Sequence, residues 1–289
     1  MHHTFKFATD DRFDAYGTSR FTEIDVPGAS LTTAADINDY GQTVGAYVDS
    51  SGQSHGYLDT NGHFTTIDPP GATFAEASGI NDRGQIVGFY TDSTGQHGFL
   101  DTNGKFTTID FPGASATDVT GINDRGQIVG VYIDSTGAHG FVDTNGNFTG
   151  LQSTSVAGAL LPLGINDHGQ ITGLYFEDRG MGGPPPHGLL AHGFLDTNGT
   201  ITTIDAPGAA FTEASGINDR GQIVGVSGAD AAATNYFLDT HGTFTNLHIP
   251  GSPPETFAQA FTDPATIAPS MGINNSSEIA GTFTDSTGT

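Results

Sequence analysis

Short apolar runs alternate with polar turn residues along the chain. In one stretch the runs "ASGIN", "QIVGFY", "HGFLD" and "FTTID" are separated by "DRG", "TDSTGQ" and "TNGK". Apolar runs of this length, bounded by Gly, Asn and Asp, are typical of β-strands. The Asn-Gly and Asp-x-x-Gly groups supply residues that tolerate positive φ in tight hairpins. The pattern therefore predicts four antiparallel strands joined by three hairpins.

The same pattern recurs six times. A second marker, "FTEID" at 21 and its variants at 64, 106, 148, 201 and 244, gives the same count. Four strands in about 42 residues match a β-propeller blade, whereas a solenoid would have shorter repeats and capping units. The Pro-containing connection "PPGATFAE" is predicted to cross to the next blade. One isoleucine in each repeat, called the marker isoleucine below, occupies the equivalent position: Ile37, Ile80, Ile122, Ile165, Ile217 and Ile273.

We therefore predict an all-β, six-bladed β-propeller with four antiparallel strands per blade, forming a single domain over 1–289. The repeat units are about 21–63, 64–105, 106–147, 148–200, 201–243, and 244–289 together with 1–20. The last unit stops at "STGT" after two strands, and "HHTFKF" near residue 2 resembles the missing strand. We expect the N-terminal strands to complete the last blade, so that no sheet edge is left bare.

The unit "GIND-x-GQIVG" followed by "HGF" resembles the HAF family of probable extracellular repeats. The His-containing half occurs as "SHGY" at 54, "QHGF" at 96, "AHGF" at 138 and 191, and more weakly as "HHTF" at 2. The fifth unit departs from this pattern, because Asn235 and Tyr236 stand where His and Gly are expected. The resemblance implies a repeat architecture and an extracellular or periplasmic location, and it brings no general biochemical activity. The start "MHHTFKFATD" lacks the layout of a secretory signal.

Composition narrows the class of partner. The 289 residues include no cysteine, so no disulfide holds the fold, and no apolar run approaches the length of a membrane span. Eight Lys and Arg against 32 Asp and Glu give a net charge of −24. This charge repels phosphate backbones and anionic lipid, so we expect neither nucleic acid nor membrane as a partner. A small molecule, a glycan or a cation remains, and we expect a monomer.

The most regular motifs are predicted to be structural. "GINDRGQIVG" reads as strand, turn and strand, because Asn and Asp side chains bond to nearby backbone amides in turns. "DTNG" lacks the twelve-residue spacing and the closing Glu of a calcium loop. Histidines at the start of the third strand lie away from the axis and are predicted to anchor the adjacent turn; they are His3, His55, His97, His139 and His192.

Function is expected where the units differ. Glu76, Asp118 and Glu213 occupy one equivalent position, four residues before the marker isoleucine. We predict that they point into the mouth of the central channel, with Glu76 and Glu213 facing each other. The other three units have Thr33, Leu161 and Pro269 there, and Asp36 replaces an inner-strand glycine.

Clustered carboxylates are costly unless a cation or a shared proton relieves their repulsion. The channel mouth is therefore a candidate Ca²⁺ site with Glu76, Asp118 and Glu213 as metal ligands, or a catalytic site with the same three as acid/base residues. Thr33 and Asp36 are candidate ligand-binding residues beside them. The alternative is that all the acids are solvated loop residues on an acidic protein.

Two insertions, 176–191 and 250–270, are predicted to form a rim or lid on this face, where Glu177, Arg179 and His187 are further ligand-binding candidates. Three functions stay open: a module binding a small molecule or glycan, with Ca²⁺ as a candidate cofactor; an enzyme of hydrolase, lyase or condensing type; and a repetitive surface protein without a pocket. No nucleophile elbow, P-loop, dinucleotide fingerprint or zinc signature is present in the sequence.

Overall fold

The structure, a computed structural model, describes residues 2–8, 21–153, 155–156, 158–178, 189–230, 233–247 and 271–284. Within these ranges the regular structure is all β, in 24 strands that follow one another as antiparallel meanders. We number six four-stranded units by chain order. This arrangement is propeller-like, as the strand pattern predicts.

The four-stranded units are shifted against the predicted repeat bounds, because each predicted repeat begins with a strand that is the outermost strand of the preceding unit. Unit 1 comprises β3 (Leu31–Ile37), β4 (Thr43–Val48), β5 (Ser54–Thr60) and β6 (His63–Ile67). Unit 2 comprises β7 (Phe74–Ile80), β8 (Gln85–Thr91), β9 (Gln96–Thr102) and β10 (Lys105–Ile109). Unit 3 comprises β11 (Ala116–Ile122), β12 (Gln127–Asp134), β13 (Gly137–Thr144) and β14 (Asn147–Gly150).

The later units have the same order of strands. Unit 4 comprises β15 (Leu160–Ile165), β16 (Ile171–Asp178), β17 (Leu189–Thr197) and β18 (Thr200–Ile204). Unit 5 comprises β19 (Phe211–Ile217), β20 (Gln222–Asp230), β21 (Ala233–Thr240) and β22 (Thr243–Leu247). Unit 6 comprises β23 (Met271–Ile273), β24 (Glu278–Thr284), β1 (His2–Ala8) and β2 (Phe21–Glu23).

Unit 6 joins the two parts of the chain that are farthest apart in sequence. Its strand order is β2-β1-β24-β23, and β1 pairs with β24 from the Ala8–Glu278 pair to the His2–Thr284 pair. The predicted mixed sheet is therefore present. Units 1, 4 and 5 are separate four-stranded sheets, and units 2 and 3 form one eight-stranded sheet through a single parallel bridge, Ala116 to Gln96.

Hairpin turns explain the recurring Asp-Thr-Asn-Gly. Asn61 and Gly62 have φ of 55° and 83°, and the Gly62 N–H donates to Asp59 Oδ1 at 2.6 Å. Asn tolerates this left-handed conformation and Gly adopts it freely, which gives the tight turn between the third and fourth strands. The same pair of angles recurs at Asn103, Asn145 and Asn198.

The hydrophobic core is a series of clusters between successive units. One cluster joins Ile67 of unit 1 to Ala75 of unit 2, and another joins Ala280 of unit 6 to Ala34 of unit 1. In each of units 1 to 5, one aromatic side chain on the third strand has no exposed surface. These residues are Tyr57, Phe99, Phe141, Phe194 and Phe237. Glycine precedes this aromatic residue in units 1 to 4 because the chain there is crowded; a Cβ at Gly98 would lie 2.6 Å from the carbonyl oxygen of Ile109.

Two hydrogen-bonded rings pass through all six units at one end of the central channel. The asparagine after each marker isoleucine donates from Nδ2 to the backbone carbonyl of its counterpart in the next unit. These bonds are Asn38 to Asn81 (3.2 Å), Asn81 to Asn123 (3.1 Å), Asn123 to Asn166 (2.9 Å), Asn166 to Asn218 (3.1 Å), Asn218 to Asn274 (2.9 Å) and Asn274 back to Asn38 (3.0 Å). The cycle is closed.

The second ring is formed one residue later. Each backbone N–H donates at 2.6–2.8 Å to the side-chain oxygen of the counterpart in the next unit, through Asp39, Asp82, Asp124, Asp167, Asp219 and Asn275. Within its own turn, the Asn123 Oδ1 also accepts from the backbone N–H groups of Arg125 and Gln127. The structural interpretation of the motif is thus confirmed, and the bonds between units add a role that the turn chemistry alone did not predict.

Candidate functional site

The central channel contains two small cavities. One, of about 40 Å³, is lined by the residues just before the marker isoleucines, among them Ser78, Thr120, Ser215 and Asp36. We call it the hub cavity. The other, of about 80 Å³, is lined by the Ile-Asn-Asp triplets that form the two rings. The marker isoleucines line both cavities, apart from Ile37 and Ile80, which line only the second. They therefore form an apolar boundary between the two.

β-bulges shape the hub cavity. In units 1 to 5 the register of the innermost strand shifts just before the marker isoleucine, for example between Val119 and Gly121 and between Ala214 and Gly216. A bulge leaves one residue unpaired and redirects its side chain. The redirected residues include Thr120 and Ser215, which line the hub cavity.

Glu213 is the most buried acid of the predicted site. Its side chain is on β19 and only 1% of the residue is exposed. Ser215 Oγ donates to its Oε1 at 3.1 Å, while Oε2 has no hydrogen-bond partner among the residues that the structure describes. Burial raises the pKa of Glu213 to about 7, although the Ser215 hydrogen bond lowers it. Glu213 thus reaches the hub cavity through a hydroxyl that lines it.

Glu76 and Asp118 form an electrostatic pair. Burial is the main cause of the raised pKa of Glu76, about 7, and the charge of Asp118 raises it further. Burial also raises the pKa of Asp118 to about 6, against a hydrogen bond donated by Gln96 Nε2 of unit 2. Of the three predicted acids, these two are therefore near enough for the charge of Asp118 to act on Glu76. The influences on the Glu213 pKa are burial and Ser215, so its predicted position opposite Glu76 stays a prediction.

Asp36 closes a contact between units 1 and 2. Its Oδ2 accepts the backbone N–H of Ile80 at 3.0 Å, and the side chain lines the hub cavity. Burial raises the pKa of Asp36 to about 7, although the backbone hydrogen bonds of Ile80 and Ile37 lower it. Its carboxyl fills the space above Gly272 of unit 6, where a Cβ would collide with it.

Of the other predicted binding residues, two make contacts within their own units and two lie outside the described residues. Thr33 Oγ1 donates to the Ala46 carbonyl within unit 1 at 3.2 Å. Glu177 Oε2 contacts His192 Nε2 at 3.3 Å. Arg179 and His187, like Pro269 and most of both insertions, lie outside the described residues. The rim or lid therefore stays a prediction.

The residues that sequence reasoning missed are hydroxyls. Ser78, Thr120 and Ser215 line the hub cavity, and each stands two residues after one of the acids Glu76, Asp118 and Glu213. Units without the acid have Ala35, Leu163 and Met271 at that place. The acid and the hydroxyl occur together, and this pairing was available in the sequence.

The predicted calcium site receives no support from the geometry. Across the described ranges, no three His, Asp or Glu side chains are grouped so that they could hold a metal ion. Four of the five peripheral histidines, His55, His97, His139 and His192, contact an acid at or beside the turn before their strand, while the side chain of His3 lies outside the described residues. His97, for example, contacts Asp92 in the turn before its strand at 3.6 Å and Asp110 in the loop after the unit at 2.9 Å.

Comparison with known proteins supports the fold and does not identify a function. No protein-family model and no curated protein matches the chain. Among solved structures, a putative TolB from Agrobacterium tumefaciens is similar over 97% of both chains, with a TM-score of 0.60 and 13% identity. TolB from Acinetobacter baumannii has a TM-score of 0.53 and 10% identity over 84% of this chain, which spans 62% of the TolB chain.

A carbohydrate-binding protein also shares the fold. A mutant of Aleuria aurantia lectin, in complex with alpha-methyl-L-fucoside, is similar over 90% of both chains with a TM-score of 0.52 and 14% identity. Identities this low indicate a common architecture and carry no site from one protein to another. In the part of the chain that the structure describes, no helix is long and apolar enough to cross a membrane.

Proposed function

We propose that the chain is a six-bladed propeller that binds a small molecule or glycan at the acidic end of its hub. The eight-stranded sheet counts as two blades, because one parallel bridge alone joins units 2 and 3. The two hydrogen-bonded rings support the count, since each passes through six equivalent positions before it returns to unit 1.

The observation that carries the binding proposal is the carboxyl group of Glu213. A buried carboxyl oxygen without a partner costs free energy, and such groups are expected to be satisfied by a ligand or a proton. Glu213 Oε2 lies in this state beside Ser215, a hydroxyl of the hub cavity. The ligand would supply an N–H or O–H donor to Oε2. A sugar hydroxyl or an amine has this chemistry, and the net charge of −24 favours a neutral or cationic ligand over an anion.

A binding screen tests this function. The wild-type protein and Glu213→Gln are applied to a glycan array and to a thermal-shift panel of neutral sugars and primary amines at pH 7.5. Glu23→Gln is the matched control, because it makes the same chemical change on β2, the outermost strand of unit 6. We expect wild type and the control to share hits that Glu213→Gln binds at least about tenfold more weakly, equivalent to about 1.4 kcal/mol. Hits that all three proteins bind equally would place the ligand elsewhere.

The pair Glu76 and Asp118 supports a second candidate function. Their pKa values, about 7 and about 6, lie near neutral pH, so one carboxyl can hold a proton while the other is ionised. Two carboxyls in these states can act as general acid and general base. This is the basis for the alternative of a hydrolase, lyase or condensing enzyme.

A substrate panel separates the two functions. Nitrophenyl esters, phosphates and glycosides are assayed with wild type, Glu76→Gln and Asp118→Asn. An enzyme of this kind should show turnover in wild type, with a bell-shaped pH profile near pH 6–7, and should lose at least about a hundredfold in either variant. Turnover that survives both substitutions would remove these residues from the mechanism.

Calcium and export remain parts of the proposal that follow from the sequence. We call Glu76, Asp118 and Glu213 the hub acids. If Ca²⁺ binds them, millimolar Ca²⁺ should raise the melting temperature above that in chelator, and Glu76→Gln combined with Glu213→Gln should abolish the gain. Equal melting with and without the ion would exclude calcium. Export, implied by the resemblance to HAF repeats, is tested by fractionating cells that express the full-length gene product.

A further inference from the structure

Each hub acid follows, at one fixed distance, an aspartate that is bonded to a histidine. Asp68, Asp110 and Asp205 stand eight residues before Glu76, Asp118 and Glu213. The three aspartates lie in the loops that lead from one unit to the next. Each contacts the Nδ1 of a histidine on the third strand of the preceding unit, in the pairs His55–Asp68 (2.6 Å), His97–Asp110 (2.9 Å) and His192–Asp205 (2.9 Å).

The other face of each histidine fastens the turn between the second and third strands. Nε2 lies near an acid of the turn in the pairs His55–Asp49 (3.5 Å) and His97–Asp92 (3.6 Å), and near an acid at the end of the second strand in the pair His192–Glu177 (3.3 Å). In unit 2, Thr94 Oγ1 donates to Asp92 and therefore accepts from His97 Nε2, at 2.8 Å. We call each histidine with its two acids a latch. Each histidine ring also packs on a tyrosine of the second strand, namely Tyr47, Tyr90 or Tyr175.

The partners of the histidine ring determine how a latch is hydrogen-bonded. Carboxylates only accept hydrogen bonds, so a latch is complete when both ring nitrogens carry a proton. For His55, burial lowers the pKa, but hydrogen bonds and charges of Asp68 and Asp49 outweigh it and leave the pKa raised. Other titratable groups facing the three rings are the tyrosines of the second strands.

A short hydrogen-bonded path joins two latches to their acids. The residue after the aspartate donates its backbone N–H to the threonine just before the acid, as Phe111 to Thr117 Oγ1 and Ala206 to Thr212 Oγ1, both at 3.0 Å. Both threonines are 1% exposed. The path before Glu76 lacks this step, because Pro69 has no N–H and Ala75 has no hydroxyl.

Units 3 and 5, which each precede a unit without a hub acid, differ at the latch. Unit 3 has His139 on its turn acid Asp134 at 3.3 Å, but Gln152 stands where the loop aspartate is expected, and the next innermost strand carries Leu161. Before Thr33, Asp25 and the backbone step from Val26 N–H to Thr32 Oγ1 (3.1 Å) are both present, so this step alone does not specify an acid, and the side chain of the equivalent His3 lies outside the described residues. Unit 5 has Asn235 in place of the histidine.

We infer that His55, His97 and His192 are positioning residues for the hub acids: each fixes the loop that places the next unit's acid at the start of its innermost strand. Among the described units, a histidine bonded to a loop aspartate accompanies an acid each time. The inference rests on the proposed function, in which those acids are the ligand site. A ligand contact by the histidines themselves is no part of it.

Carboxyl titration by ¹³C NMR tests the positioning role without any ligand. In wild type, the Glu213 carboxyl should titrate near 7. In His192→Ala the loop loosens and water reaches Glu213, so its titration midpoint should fall by about one pH unit toward the ordinary range of a glutamate. Asp205→Ala should act in the same way. Asp205→Asn should restore the wild-type midpoint, because its amide oxygen still accepts from Nδ1.

The other latches supply the controls. His97→Ala should lower the Asp118 midpoint and leave that of Glu213 unchanged, and His192→Ala should leave that of Asp118 unchanged. His139→Ala removes an equivalent ring ahead of a unit without a hub acid, so it should move neither midpoint. An unchanged Glu213 midpoint in folded His192→Ala would overturn the inference, and so would equal shifts in His139→Ala. The titration uses no ligand, so its result does not depend on whether the ligand screen finds a hit. Failure of the positioning role and failure of the proposed function can therefore be distinguished.

Discussion

The two ends of the channel differ in how they use acidic residues. At one end, Asp39 and its counterparts recur in every unit except the sixth, and each accepts a backbone N–H from a neighbouring unit. At the other end, Glu76, Asp118 and Glu213 appear in three units only, and burial is the first cause of their raised pKa values. The acids that recur from unit to unit close the ring, whereas the acids found in three units only are the ones for which we propose a ligand.

The partners of the carboxyl oxygens express the same difference. Asp124 Oδ1 accepts the Asp82 N–H at 2.8 Å, so the ring meets its own hydrogen-bonding needs. Among the residues that the structure describes, Glu213 has one hydroxyl donor for its two carboxyl oxygens. The first arrangement is complete without a partner, and the second requires a proton or a ligand. Substitutions at the two ends should therefore change different properties of the protein.

The largest effect is expected from Asn123→Ala at the ring end. The side chain makes four hydrogen bonds, to Arg125, Gln127 (two) and Asn166, and the residue is 3% exposed. At about 1 kcal/mol each, their loss should lower the free energy of unfolding by about 4 kcal/mol in urea denaturation. Asn147→Ala is the control, because this exposed side chain makes one bond, to Thr144, and should cost under about 1 kcal/mol. Similar losses in the two variants would refute a special role for the ring.

Glu213→Gln should change the pH dependence of stability. Because the pKa of Glu213 is raised from 4.5 to about 7 in the folded state, the folded protein binds this proton more tightly than the unfolded chain. The wild type should therefore lose about 3 kcal/mol of stability as pH rises from about 4.5 to 7. Urea unfolding at pH 4.5, 6 and 8 should show this decline in wild type and in Glu23→Gln, and a flatter profile in Glu213→Gln. Parallel profiles in all three proteins would contradict the assignment.

Asn275→Asp tests why the sixth member of the ring is an amide. Asn275 Nδ2 donates to Asp39 Oδ2 and Asp219 Oδ2, both at 3.0 Å. The substitution removes both donors and adds a carboxylate between two others, so we expect a loss of about 2 kcal/mol at low ionic strength, partly recovered in 1 M NaCl. Asp124→Asn removes a carboxylate from the same ring and should lose less. A loss that salt does not reduce would indicate a steric cause.

Ser215→Ala should have the smallest effect and act at the hub end. Removal of the hydroxyl takes away the donor to Glu213 Oε1, so the pKa of Glu213 should rise further. The stability cost should be about 1 kcal/mol. Carboxyl ¹³C titration measures the shift, and Ser78→Ala in unit 2 is the matched variant that should leave the Glu213 titration unchanged.

Local features were predictable and contacts between units were not. Strands, Asn-Gly turns and the mixed sheet follow from patterns of a few residues, and the structure has them. The Asn38 to Asn81 bond spans 43 residues and exists because successive units bring equivalent turns together. Likewise, the bulge that turns Thr120 into the hub cavity has no signature in its own residues, although its pairing with Asp118 was visible in the sequence.

The pairing of β1 with β24 bears on how the molecule assembles. β1 pairs with β2, which follows it closely in the chain, on one side, and with β24, some 270 residues later, on the other. Contacts of such long sequence separation form slowly, because loop closure must precede them. Annealing of this seam is therefore expected to be the last and slowest step of folding. A circular permutant that begins between units 1 and 2 would bring β24 and β1 close together in sequence and should therefore fold faster.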